Sequence, residues 1–309
     1  MEDFGRGCPV DWNEKEQRYN WELVFCELYA GGKYGGDGDN YEYSLGLNGL
    51  APAPPSTPAS ISTQPSTGTA PNTPSTLRRG RISAGSTKSP LTGQKDGSTF
   101  RWKPDLEVFT DIDIPVEYYL DVMKRQAVVN SGVTFRFRNQ TGGKFETTDF
   151  RYDNGILDYV TELAGENPLT QPVFWQTERK GRDREDKPEY KVKLSVSFCF
   201  SNRVKFLEYY HNSSHLEYGG SPEKAVKQAF VSKIDGYLKQ TGKYLKNESK
   251  ITFQDVEDCL VLVSSSFSTQ TSYENQTKKA ITNKFIYEAM NDFLKRSWRS
   301  TSSKTRTRR

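Results

Sequence analysis

Apolar positions along the chain fall into two rhythms, and together they lay out a mixed α/β protein. Helical spacing runs through residues 11–30, where Trp21, Val24, Phe25 and Leu28 form one face. It returns in 115–129, with Tyr119, Val122 and Met123 on one side. Residues 154–163 predict a short helix. Residues 222–239 predict a long amphipathic one, with Ser221 as the expected N-cap ahead of Pro222 at the first helical position. A further helix spans 252–258, capped by Thr252, with Asp255 in its first turn. Alternation marks strands at 133–138, 173–176, 191–200 and 259–266, and the charged stretch 178–189 reads as a hairpin tip. This mixed order predicts two α/β layers rather than a parallel doubly wound sheet.

One stretch follows neither rhythm. Residues 51–88 hold no acidic and no aromatic residue and are rich in Pro, Ser and Thr, a composition that predicts a disordered linker. The 309 residues suggest about two domains. No apolar run approaches the roughly 18 residues of a membrane span. Cys8, Cys26, Cys199 and Cys259 lack pairing spacings, and with only His211 and His215 beside them neither a disulfide framework nor a metal site is expected. No membrane contact and a cytoplasmic setting follow as expectations. Cys199 and Cys259 sit in apolar runs, as core thiols do.

Candidate chemistry lies at both ends of the chain. The strand near 260–269 feeds a polar turn, Tyr273-Glu274-Asn275-Gln276-Thr277-Lys278, which carries a lysine out at its tip. A Lys beside an amide and a hydroxyl suits a phosphate, although such a turn taken alone is usually solvated surface. At the other end stand Asp3-Phe4-Gly5-Arg6-Gly7-Cys8-Pro9-Val10, then Ala30-Gly31-Gly32-Lys33-Tyr34, then Gly46-Leu47-Asn48-Gly49-Leu50. Glycines at these spacings let backbone N–H groups approach anionic oxygens, and Asp3 can accept a hydrogen bond from a base amino group.

Taken in order, these motifs resemble the ATPase subunit of bacterial type IIA topoisomerases, the B subunit of DNA gyrase and topoisomerase IV. Asp96-Gly97-Ser98-Thr99-Phe100, Arg125-Gln126-Ala127, Tyr218-Gly219-Gly220 and Ile251-Thr252 extend the likeness over residues 2–50 and about 89–297. The resemblance implies the remnant of a GHKL-type ATPase α/β sandwich followed by a ribosomal-protein-S5-like transducer. The domains it implies are 1–50 (partial ATPase domain), 51–88 (disordered), 89–110 (end of the ATPase domain), 111–297 (transducer) and 298–309 (a basic tail). It further implies ATP and Mg2+ as cofactors. DNA, the topoisomerase A subunit and a second B subunit, closed into a homodimer by ATP, are the implied partners.

By the same resemblance Asp3 meets adenine, and Gly5 and Gly7 shape the base pocket. Gly46, Leu47, Asn48, Gly49 and Leu50 form the lid over the phosphates. Gln276 and Lys278 meet the γ-phosphate, and Gly32 and Lys33 are possible further contacts. The family's general-base Glu and magnesium-holding Asn belong to a helix before the D-x-G-R-G motif, which this chain does not contain. No catalytic residue and no metal ligand is therefore assigned, and the chain as written is expected to bind ATP weakly, if at all, and not to hydrolyse it.

The family has no linker at 51–88, and a one-base shift restores a family-like reading there and again in 298–309. Both segments are accordingly read as out of frame. Nine basic residues and no acidic ones lie in them, so without them the net charge of +4 becomes −5, and the basicity is no evidence for a DNA-binding surface. The rival expectation takes both segments as genuine: a non-catalytic transducer-like module with a disordered arm and a nucleic-acid-binding tail.

Overall fold

In the computed structural model, residues 1–4, 12–20, 59–64, 75–78, 81–84, 97–102, 106, 109–275 and 277–306 are described. The chain divides between Ile114 and Pro115 into two units. The first holds β1 (Glu2–Asp3), β2 (Trp12–Asn13), β3 (Arg18–Tyr19), β4 (Ala59–Gln64), β5 (Ser75–Arg78), β6 (Arg81–Ala84) and β7 (Gly97–Trp102). Five of these form an antiparallel sheet in the order β1-β7-β4-β5-β6.

Two expectations are corrected in this unit. Residues 12–19, expected within a helix, form a small hairpin instead. Asn13 Oδ1 accepts the N–H groups of Lys15 and Glu16, both at 3.1 Å, and Gln17 takes a positive φ of 52°. The asparagine-led turn outcompetes the helix because its side chain satisfies the backbone locally, and Trp12 and Tyr19 close the pair edge to face at 5.2 Å. The remainder of that expected helix lies outside the described residues. The second correction concerns 51–88, expected to lack regular structure. Strands β4, β5 and β6 lie within it, and β4 pairs with β7 along its whole length, from Ala59↔Trp102 to Gln64↔Gly97. Ser, Thr and Ile in this stretch tolerate a pleated strand, Pro and Gly flank it as punctuation, and the distant β7 supplies the partner that β4 pairs with.

The second unit holds α1 (Val116–Val129), β8 (Phe135–Thr141), β9 (Lys144–Phe150), α2 (Ile156–Ala164), β10 (Val173–Gly181), β11 (Tyr190–Phe200), β12 (Phe206–His211) and β13 (Ser214–His215). It continues with α3 (Ser221–Gln240), α4 (Phe253–Glu257), β14 (Leu260–Ser268) and α5 (Lys284–Arg306). Its main sheet runs β10-β11-β14-β12-β13. Only the β12–β14 pair is parallel, and the chain between those strands is long enough to carry α3 and α4, as a parallel pairing requires.

Central β14 is buried on both faces, so it reads as a continuous apolar and small-residue run rather than an alternation. Leu260 and Leu262 face one core, with Leu194, Phe198, Phe230, Ile286 and Met290. Val261 and Val263 face another, with Ala127, Val128, Ile156, Val160 and Cys199. Helices thus cover both faces, which adds a layer to the two expected. Ser221 is the first helical residue of α3 rather than its N-cap; Gly220 takes the cap position. The Thr252–Asp255 capping box of α4 is as expected.

The C-terminal segment is corrected too. Helix α5 continues to Arg306 with no break at residue 297. Trp298 stacks on Phe198 at 5.7 Å and meets Phe230 edge to face at 5.0 Å. The indole packs against the aromatic side chains of the sheet and of α3, so residue 298 belongs to the fold and not to a separate basic tail.

Candidate functional site

The lysine-bearing turn is set up by the end of β14. After Ser268 the chain crosses to Ser272, whose N–H is accepted by Asn283 Oδ1 at 2.7 Å. Tyr273 then bridges Ile281, the Glu274 N–H donates to the Ala280 carbonyl at 3.0 Å, and the Thr282 N–H donates to the Ser272 carbonyl at 2.8 Å. These bonds close a nine-residue loop whose tip is Asn275 to Lys278. The Lys278 N–H returns to the Asn275 carbonyl at 3.2 Å, and the Thr277 hydroxyl donates to Asn275 Oδ1.

Lys278 itself has φ +59°, the left-handed region, which costs a β-carbon-bearing residue about 1–2 kcal/mol. Such strain persists only where the surroundings over-determine it. Here they do: the returning strand is fixed on the start of α3. The Tyr218 N–H donates to the Lys279 carbonyl and the Ser221 N–H to the Ile281 carbonyl, each at 2.9 Å. Gly220, at φ +94°, lies so close that a β-carbon would stand 2.2 Å from the Ile281 carbonyl oxygen, which is why the Tyr218-Gly219-Gly220 motif must end in glycine. Lys279 pairs with Glu217, and its ammonium lies 5.5 Å from the Tyr218 ring centre.

The Lys278 ammonium lies 5.8 Å from the ring centre of Tyr273. It is half-buried, and burial pushes its pKa below the ordinary lysine value. A partly desolvated cation on a strained, braced backbone is suited to an anion, since the water it would lose on binding is already partly gone.

Asp3 stands in the other unit, exposed at the end of β1 and paired with Ser98 on β7. Gly5, Gly7, Gly32, Lys33, Gly46, Leu47, Asn48, Gly49, Leu50 and Gln276 lie outside the described residues. Among the described residues no cluster of three or more His, Cys, Asp or Glu side chains could hold a metal ion. Burial raises the thiol pKa of Cys199 and of Cys259, which suits core residues and not nucleophiles. No helix among the described residues is long and apolar enough to cross a membrane.

The sequence reading missed the groups that brace the turn. Asn283 Nδ2 donates to Asp183 Oδ2 at 2.9 Å, and the Phe285 N–H donates to Asp183 Oδ1 at 2.8 Å, so the β10–β11 hairpin tip anchors the start of α5. The Tyr190 hydroxyl donates to the same carboxylate at 2.9 Å. The one signal for Asp183 and Asn283 is their polarity, and they lie 100 residues apart in sequence.

Residues 155–306 match the DNA gyrase B family profile. The DNA gyrase B protein of Streptococcus pneumoniae serotype 4 is 29% identical over 309 residues, an alignment that takes in 94% of this chain and 45% of that protein. Over residues 155–306 this chain is thus similar to the DNA gyrase B family. It spans about half the length of the curated relatives it matches. Among solved structures, the 43K ATPase domain of Thermus thermophilus gyrase B in complex with an aminocoumarin superposes with TM-score 0.70. The identity is 18%, with 99% of this chain and 76% of that one covered. The topoisomerase IV ATP-binding domain of Francisella tularensis gives TM-score 0.67 at 20% identity, covering 97% and 77%. At these identities the likeness establishes the fold, the mixed α/β architecture of gyrase B ATPase regions.

Proposed function

We propose that this chain is the ATPase and transducer region of a type IIA topoisomerase B subunit. In the intact subunit that region couples ATP binding and hydrolysis to closure of a B-subunit dimer and to DNA strand passage; this chain, with no general base assigned, is itself read as inactive in hydrolysis. DNA, the A subunit and a second B subunit are the partners in this reading, and the cytoplasm is the setting. The observation that carries it is the Lys278 turn: a half-desolvated lysine in left-handed backbone, braced by the start of α3, within the segment matched to the gyrase B family.

In this reading Lys278 senses the γ-phosphate, with Gln276 beside it. Asp3 orients the base, Gly5 and Gly7 shape its pocket, and Gly46 to Leu50 cover the phosphates, with Gly32 and Lys33 as further contacts. Bound Mg2+ would supply charge neutralisation at the phosphates. The protein's own contribution in this reading is one cation, Lys278, offered to the γ-phosphate. The non-catalytic alternative is less favoured, because Trp298 packs into the core and the family match runs on to residue 306, which leaves little of its separate tail. The out-of-frame origin of 51–88 stays a proposal, and reading the genomic bases around codons 50 and 88 tests it.

The functional test is the preference for a non-hydrolysable ATP analogue over ADP, measured on the full chain by NMR titration, which reads millimolar affinities. A charge-assisted contact of about 1.5–3 kcal/mol predicts a preference of about tenfold or more. Lys278→Ala should remove it while ADP affinity stays put. Equal affinity for both nucleotides in the unmodified chain would sink this reading.

A further inference from the structure

Strand β12 ends in a histidine that the nucleotide reading does not use. His211 is fully buried, and both ring nitrogens are engaged at the point where β14 leaves the sheet. Hydrogen accounting fixes the tautomer. Ser266 Oγ gives its one hydrogen to the Tyr210 carbonyl at 3.1 Å, so at 2.8 Å from the ring it must accept from His211 Nδ1. Nε2 is left with a lone pair, and the Thr271 hydroxyl donates to it at 2.8 Å. Ser268 Oγ lies 3.2 Å from Nε2 and gives its own hydrogen to the Gln270 carbonyl at 2.6 Å.

Asn212 completes the clamp. Its Oδ1 accepts the Ser268 N–H at 2.9 Å, and its Nδ2 donates to the Ser268 carbonyl and to Thr271 Oγ1, each at 3.2 Å. The His211 ring also meets Tyr273 edge to face at 6.3 Å, and Tyr273 is the residue against which the Lys278 ammonium rests.

We propose that His211 is a positioning residue for Lys278. As its Nδ1–H tautomer it ties the exit of β14 to Thr271 and Tyr273, and so sets where the lysine-bearing turn stands. The inference rests on the reading of Lys278 as the γ-phosphate sensor. Four residues, Thr269 to Ser272, separate β14 from the bridge at Tyr273. Apart from Ser272, which bonds Asn283, the clamp supplies the side-chain hydrogen bonds that hold them. A site placed on a loop needs such support to hold its geometry.

The test pairs a mechanical readout with a binding one on the full chain. His211→Phe keeps the ring volume and removes both hydrogen bonds, whereas His211→Gln restores a donor and an acceptor. Amide hydrogen exchange across 269–283 should rise about tenfold or more in the Phe variant, with exchange in β11 and α3 unchanged. The preference for the non-hydrolysable ATP analogue over ADP should fall by a similar factor at constant ADP affinity, and the Gln variant should recover both. Thr271→Val removes only the hydroxyl facing Nε2. It should show the same pair of changes and decides the matter if His211→Phe does not fold. Unchanged exchange at the turn, or raised exchange with the preference intact, overturns the proposal. An unmodified chain with no preference at all instead overturns the sensor reading, and this inference with it.

Discussion

The two faces of the five-stranded sheet in the second unit are built on opposite terms. Under α3 and α5 the contact is large, aromatic and dry. Phe198 meets Trp175 at 4.9 Å, Phe230 at 5.0 Å and Trp298 at 5.7 Å, with Leu194, Leu262, Ile286 and Met290 around them. Under α1 and α2 the buried aromatic side chains are tyrosines, Tyr152, Tyr159 and Tyr210, and an ionisable group is buried among them. Glu208 accepts from the Tyr210 hydroxyl at 2.7 Å and lies 3.8 Å from Arg125 Nε, and burial pushes its carboxyl above the ordinary glutamate value. Arg125 also reaches His215 Nδ1, at 3.2 Å, and Asp121, at 3.2 Å. The first face can supply stability by area alone. The second gains less from area and more from geometry, because a buried carboxylate accepts few positions of its cation. The clamp around His211 lies at the end of the first face, where apolar packing gives way to the hydrogen bonds that brace the Lys278 turn.

Breaking the dry face should have the largest effect. Phe198→Ala removes the ring on which four aromatic neighbours, Trp175, Phe200, Phe230 and Trp298, converge and should cost about 3–5 kcal/mol in urea denaturation. Trp298→Ala, at a half-buried ring, should cost about 2–3 kcal/mol. A loss near zero at Trp298 would return residue 298 to the solvated tail first expected of it.

Acid should find the clamp next. The His211 pKa is pushed down to about 3 by burial, against about 6.5 in the unfolded chain. Above pH 6.5 the side chain is neutral in both states. Below it the unfolded chain takes up a proton that the folded one refuses, so stability is lost as pH falls from 6.5 towards 3. At about 1.4 kcal/mol per unit the loss at pH 5 is about 2 kcal/mol. Urea midpoints at pH 7 and pH 5 should therefore differ more in the unmodified protein than in His211→Gln. A slope that survives the substitution would assign the acid sensitivity to another group.

The polar face should give the smallest stability change and the clearest coupling. Arg125 is about one-third exposed, so Arg125→Met should cost about 1–2 kcal/mol, mostly by stranding Glu208. The double variant Arg125→Met with Glu208→Gln should recover part of that loss, because no buried charge is left behind. Strict additivity would show that the pair does not position α1.

Much of the second unit was legible because its elements advertise themselves locally. The expected helix at 115–129 is α1 to within a residue, and the expected strand at 191–200 is β11. The turn that carries Lys278 also stood out, since a polar run after a β-branched one is a short-range signal. Legibility failed where local and long-range signals disagree. Residues 12–19 were expected in the helix whose apolar face is Trp21, Val24, Phe25 and Leu28, yet Asn13 offers the backbone a cheaper turn. Residues 59–64 look like linker by composition, yet a strand partner, β7, lies nearly 40 positions later.

By itself, then, the sequence determined the order and type of most elements in the second unit, the place of the lysine-bearing turn and the family to which its motifs point. Periodicity, turn chemistry and motif spacing are properties of neighbouring residues. Only the tertiary structure decided what braces that turn. His211 and Thr271 are 60 positions apart and Asn283 and Asp183 are 100 apart. A buried histidine on a strand looks the same in sequence whether it packs idly or holds a loop, because what distinguishes the two cases is which hydroxyls and amides the fold brings to its ring nitrogens.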